Sequence, residues 1–113
     1  TWLRRQRQMC IRDSIACAQK GMPVLVDGFI TTAAALLAIK INPSIKPWLI
    51  VSHQSAEPGH QKALQALGLA PVVSLGMRLG EGSGAATVVP LLQMACRLQS
   101  EMASFAEAGV SQA

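Results

Sequence analysis

The 113-residue sequence is half apolar and only 14% charged, against about 25% in an ordinary soluble domain, which bounds it to one domain or a piece of one. Aromatic residues make up 4% and tyrosine is absent, so the core must be built from Ala, Leu, Val and Ile, and disorder and a coiled coil are excluded. The formal charge of +4 sits almost wholly in residues 1–14, which leaves a nearly neutral body and, without interleaved aromatics, argues against a nucleic-acid partner.

In chain order, the first segment carries Arg4, Arg5, Arg7 and Arg12 against Asp13. Its string RRQRQMCIRDS resembles a translated sequencing adapter. Residues 1–14 are therefore expected to be a non-native or disordered leader, and 15–113 the functional segment. No apolar h-region follows the arginines, so a signal peptide is not expected. Residues 15–20 read as the tail of a helix ending at Gly21. The continuous apolar run Pro23 to Asp27 suits a parallel strand covered on both faces. Thr31 to Ile39 predicts a helix stopped by Asn42 and Pro43. The uncharged stretch Gly28 to Ile39 is too short to span a bilayer, so no membrane partner and a cytoplasmic location are expected.

Trp48 to Val51 is the second predicted strand. Ser52 to Glu57 is a polar loop delivering Pro58 to the first turn of a helix that Gly68 stops. Pro71 to Ser74 predicts a third, shorter strand. A glycine-rich stretch from Gly76 to Gly84 then opens a long helix to about Ala108, with Pro90 in its early turns. Short β-branched runs alternating with Ala/Leu-rich ones define an α/β chain with right-handed crossovers. The expected architecture is a three-layer Rossmann-like parallel sheet, the C-terminal fragment of a larger domain. A mean hydropathy of +0.33 exceeds what so small a globule can hide, which implies a partner chain or further sequence.

Open parallel sheets bind ligands at the C-terminal strand edge. Three loops leave that edge here, carrying Asp27-Gly28, Ser52 to Gly59, and Gly80 to Gly84. The run Gly80-x-Gly82-x-x-Ala85 matches a dinucleotide fingerprint only in part, since no following strand supplies its acidic residue. What remains is a phosphate site at Gly80, Gly82 and Gly84, where glycines admit an anion to backbone N–H groups at a helix N-terminus. Glu81 among those glycines would repel the anion, which makes it either a general base or a first-turn helix residue. Asp27 is a ligand contact or a cap for the helix after it. His53 and His60 read as polar loop residues without metal-ligand spacing. Ser52 and Ser55 sit in no G-x-S-x-G elbow, which weakens a hydrolase reading. Cys10, Cys17 and Cys96 form no zinc or disulfide pattern and read as small hydrophobes or free thiols.

Taken together, PVLVDGFITTAAALLA, SHQSAEPGHQKALQALGL, LGMRLGEGSGAA and EMASFAEAGV closely resemble the C-terminal portion of the nicotinate-nucleotide:dimethylbenzimidazole phosphoribosyltransferases, from about residue 15 to the end. The resemblance implies a glycosyltransferase of cobalamin lower-ligand synthesis. Phosphoribose passes from nicotinate mononucleotide to 5,6-dimethylbenzimidazole, giving α-ribazole phosphate and nicotinate, with no metal or organic cofactor implied. Glu81 falls on the family's general base, Asp27, Gly28, Ser55 and Gly80 on its phosphate and ribose contacts, and Leu79 on its benzimidazole contacts. Family members are roughly three times longer and homodimeric, and their earlier strands supply most of the benzimidazole pocket. The chain alone is therefore expected to be inactive. A non-catalytic phosphate-binding or subunit-interaction module is the alternative, and it would be indifferent to Glu81.

Overall fold

A computed structural model describes residues 2–78 and 82–111, with side chains from residue 4 onward. Helix α1 (Trp2–Gln19) leads into strand β1 (Val24–Val26), helix α2 (Gly28–Ile41), a 3-10 turn (Pro43–Trp48) and strand β2 (Leu49–Val51). Helices α3 (His60–Leu67), α4 (Ser83–Glu101) and α5 (Phe105–Ala108) complete the order. The helix tail expected at 15–20 is thus the end of a helix that begins at Trp2, within the segment expected to be a leader.

β1 and β2 pair in parallel, with Leu25 opposite Ile50 and Val26 opposite Val51. The third predicted strand is reduced to a single parallel bridge, His53 to Val73. Its ladder starts well, Val72 N–H donating to Val51 O at 2.9 Å and Gln54 N–H to Val73 O at 3.0 Å. It then loses register, because Ala56 N–H reaches Met77 O where a regular ladder would use residue 75. Gly76, at φ +67°, turns the intervening residues out of line. The described residues thus form a two-stranded sheet plus one bridge, in place of the three strands predicted.

Ala18, Val26, Ala35, Ala38, Ile45, Leu49, Val51, Leu64 and Leu67 form the core on one face of the sheet. Ala35 and Ala38 are fully buried, and their small side chains let α2 lie close to both α1 and α3, which it packs between. Gly68 ends α3 in the left-handed region at φ +72°, where a glycine carries no Cβ penalty. Pro58 lies outside that helix, in the turn before its cap Gly59. The long helix expected to reach Ala108 stops at Glu101. There Ser104 starts a new turn with a capping box, its hydroxyl accepting from Glu107 N–H while the Glu107 carboxylate accepts from Ser104 N–H at 2.8 Å.

The opposite face of the sheet, with Leu25 and Ile50, looks across an open apolar cavity of about 810 Å³ to Val89, Pro90 and Met94 of α4. Among the described residues the sheet is therefore closely packed on one face only, where cover on both was expected. A radius of gyration of 16.6 Å and extents of 61 × 31 × 23 Å exceed the compact value of about 13 Å for this length. No helix among the described residues is long and apolar enough to cross a membrane.

Candidate active site

The loops after β1 and β2 and the approach to α4 meet at the C-terminal edge of the strand pair, around a cleft of about 660 Å³. Asp27, Gly28, Ser55 and Gly82 all line it. Leu79, Gly80 and Glu81 lie outside the described residues. Gly28 turns the chain from β1 into α2 at φ +76°, with nothing within 4 Å of where a Cβ would stand, so conformation and not crowding calls for glycine there. The cleft wall adds Phe29, Arg78 and, from α1, Gln6, three residues that sequence reasoning did not single out. Arg78 is the lone cation inside LGMRLGEG. Its Nη2 lies 3.4 Å from Glu57 Oε1 in an exposed pair.

Asp27 does not cap the helix that follows it: α2 receives no side-chain cap. Its carboxylate instead reaches across 55 residues to α4. Oδ2 accepts from Gly82 N–H at 2.9 Å, and Oδ1 accepts from Ala85 N–H at 3.1 Å. A carboxylate at a helix N-terminus satisfies orphan donors and opposes the helix dipole. The Gly82 amide, expected to receive a phosphate, is thereby occupied from within, as is that of Ala85. The amino end of α2 is the complementary case. Gly28 to Thr31 line the cleft, and Asp27 leaves their first-turn amides uncapped, which is the arrangement that suits an anion.

His53 and His60, expected as polar loop residues, are 1% and 0% exposed. His53 Nδ1 stands 3.5 Å from Asp27 Oδ1 and 3.2 Å from Ser52 Oγ. The Ser52 hydroxyl donates to Val26 O at 2.8 Å, so it accepts from a proton on His53 Nδ1. Ser52, His53 and Asp27 do not form a nucleophilic triad. Serine and carboxylate both address Nδ1, where a triad needs opposite ring nitrogens, and Ser52 is fully buried. Gly84 is packed onto this group. A Cβ there would collide with the His53 ring and stand 2.7 Å from Asp27 Oδ1.

His60 joins the loop after β2 to α2. Its Nδ1 accepts from Ser55 N–H at 2.7 Å, and its Nε2 lies 2.8 Å from Thr32 Oγ1. Burial pushes the imidazole below its ordinary value, and the nearby His53 adds to the effect. Ser55, 8% exposed, also accepts at Oγ from Glu57 N–H at 3.2 Å. No group of three or more metal-ligating side chains occurs among the described residues.

A parallel strand edge with an uncapped helix N-terminus and a cation beside it is the arrangement at which α/β proteins commonly hold anionic groups. Residues 13–110 match the family model described as Phosphoribosyltransferase, and the chain belongs to that family. It is 61% identical over 99 residues to the nicotinate-nucleotide–dimethylbenzimidazole phosphoribosyltransferase of Azotobacter vinelandii, covering 88% of this chain and 28% of that protein. With the enzyme of the same name from Ectopseudomonas mendocina the identity is 59% over 98 residues, covering 87% and 28%. The crystal structure of the Thermus thermophilus phosphoribosyltransferase of that name superposes with a TM-score of 0.85 at 44% identity, covering 92% of this chain and 31% of that one. The chain thus spans a little over a quarter of the length of the curated relatives it matches.

Proposed function

We propose that residues 15–113 are the C-terminal, phosphoribose-holding part of an enzyme that transfers phosphoribose from nicotinate mononucleotide to 5,6-dimethylbenzimidazole. The observation that carries this reading is convergence: Asp27 with Gly28, Ser55 and Gly82, three stretches far apart in sequence, line one cleft. The nucleotide phosphate sits at the amino end of α2, with Arg78 close by. Gly80 and Gly82 let the chain approach the ribose, and Leu79 contacts the benzimidazole.

Glu81 is the general base. It takes the N–H proton of the benzimidazole, whose ring nitrogen then attacks C1′ of the ribose. The C1′–N bond to nicotinate breaks with inversion, and its electron pair neutralises the cationic pyridine nitrogen. The products are α-ribazole phosphate and nicotinate, and the reaction written this way balances without a cofactor. The complete enzyme is a cytoplasmic homodimer with further strands extending the sheet into three Rossmann-like layers. Residues 1–12 precede the family match, which starts at residue 13, and supply none of the chemical groups of this reaction.

The test is a chimera in which residues 13–110 replace the matching segment of the Azotobacter vinelandii protein. It should form α-ribazole phosphate. Glu81→Gln in it should lower turnover by about 10²–10⁴ while nicotinate mononucleotide still binds. Unchanged turnover refutes the base, and retained binding with no turnover in the unsubstituted chimera favours the non-catalytic phosphate-binding module. The 113-residue chain alone should self-associate and yield no product, because a contact from Leu79 without the rest of the pocket does not align the benzimidazole for attack on C1′. Light scattering and a product assay check both.

A further inference from the structure

The buried His60 has no part in the chemistry above, yet its hydrogen bonds run to Ser55 in the loop after β2 and to Thr32 in the first turns of α2. Ser55 N–H can only donate, so the 2.7 Å contact requires a lone pair on Nδ1 and places the ring proton on Nε2. That proton is donated to Thr32 Oγ1 at 2.8 Å. The Thr32 hydroxyl in turn donates to Gly28 O at 2.7 Å. Every donor along this line has one acceptor, and the order admits no reversal.

The line ends on a functional peptide group. Holding Gly28 O fixes the plane of the Gly28–Phe29 peptide, and with it the direction of the Phe29 N–H at the amino end of α2. At its other end it holds the amide of Ser55. The Phe29 ring meets His60 edge-on, with centroids 6.5 Å apart, and the ideal Cβ position on Gly59 is 3.1 Å from that ring. The loop after β2 and the start of α2 are therefore held at a fixed separation by one neutral imidazole.

We propose that His60, acting through Thr32, is a positioning residue that sets the nucleotide-phosphate subsite by locking the α2 amino end against the Ser55 loop. This rests on the functional reading given above. The role is specific to one substrate: the relay touches the phosphoribose side of the cleft, so it governs nucleotide KM and leaves dimethylbenzimidazole KM alone.

In the active chimera, Thr32→Val keeps the side-chain shape and removes the hydroxyl. Nicotinate mononucleotide KM should rise roughly tenfold or more, with kcat per active site and dimethylbenzimidazole KM within about twofold of the unsubstituted protein. Thr32→Ser, which restores the hydroxyl, should recover most of the loss. A fall in kcat that tracks the folded fraction at constant KM would mean a purely structural role and overturns the proposal, as does an unchanged nucleotide KM. Nitrogen-15 NMR of the unsubstituted chimera supplies a readout independent of whether the variants fold. A His60 ring protonated at Nε2 is expected, and one protonated at Nδ1 overturns the relay. An unsubstituted chimera that neither binds nicotinate mononucleotide nor turns over sinks the functional reading and this role together.

Discussion

The cleft and the α4–α5 arm are built from the same chain in opposite ways. Around the cleft, polar groups are buried and matched: Ser52, His53, Ser55, His60 and Thr32 are each at most 8% exposed and each has a partner. Along the arm, Leu91, Met94, Leu98, Met102 and Phe105 recur at helical spacing and are 42–73% exposed, while Gly84 and Val88 alone are buried in α4. Apolar content therefore says little about where a region's order comes from. The cleft takes its shape from directional bonds between elements, whereas the arm is a helix and a short following turn with uncovered apolar side chains, anchored at its amino end by Asp27.

The largest loss of stability comes from the seam between the two regions. Gly84→Ala drives a methyl into His53 and toward Asp27 and should cost about 3 kcal/mol, the upper range for overpacking. A lower urea midpoint at unchanged m-value measures it. Asp27→Ala should cost about 2 kcal/mol, from a lost helix cap and unpaired amides, and Asp27→Asn about half as much because one acceptor oxygen survives. Equal midpoints for all three proteins would mean that the arm is not held through Asp27.

A smaller effect follows from pH. His60 is bound as the neutral ring, and its folded value lies below the ordinary 6.5. Its contribution is thus complete above about 6.5 and is lost as pH falls through the depressed folded value. Urea midpoints measured from pH 7.5 downward should drop less in His60→Asn, which has nothing there to protonate. The arm should respond least. Leu98→Lys, at a position 58% exposed, should change stability by under about 0.5 kcal/mol while reducing self-association in sedimentation velocity. Thiol labelling gives the finest comparison. The exposed Cys96 on the arm should react before Cys10 and Cys17, with the Cys10 thiol held back because burial, and then Asp13, raise its pKa.

Much of the layout is legible along the chain. Both strands of the pair, the stop after α2 at Asn42 and Pro43, and the cap at Gly68 follow from apolar runs and breakers whose effects act within a few residues. Four of the predicted contacts, Asp27, Gly28, Ser55 and Gly82, do share one cleft. The third strand falls short because Val72 and Val73 have strand character, but Gly76 throws the ladder out of register three residues after Val73. The buried histidines escape a sequence reading because polarity suggests a surface loop, and a polar ring can be buried once partners satisfy its nitrogens. Arg78 escapes it because a lone cation in a glycine-rich run carries no spacing signal of its own.

The sequence by itself determined the α/β class, the positions of the breakers and, through four long motifs, the family. Those features depend on local backbone preference and on residue identity, both readable along the chain. The tertiary structure alone decided that Asp27 caps α4 and not α2, that His60 rather than a surface group ties Ser55 to Thr32, and that one face of the sheet stays open beside α4. Each is a choice among distant hydrogen-bond or packing partners. A carboxylate or imidazole pairs with whichever donors the fold brings within about 3 Å, and no periodicity along the chain encodes that distance.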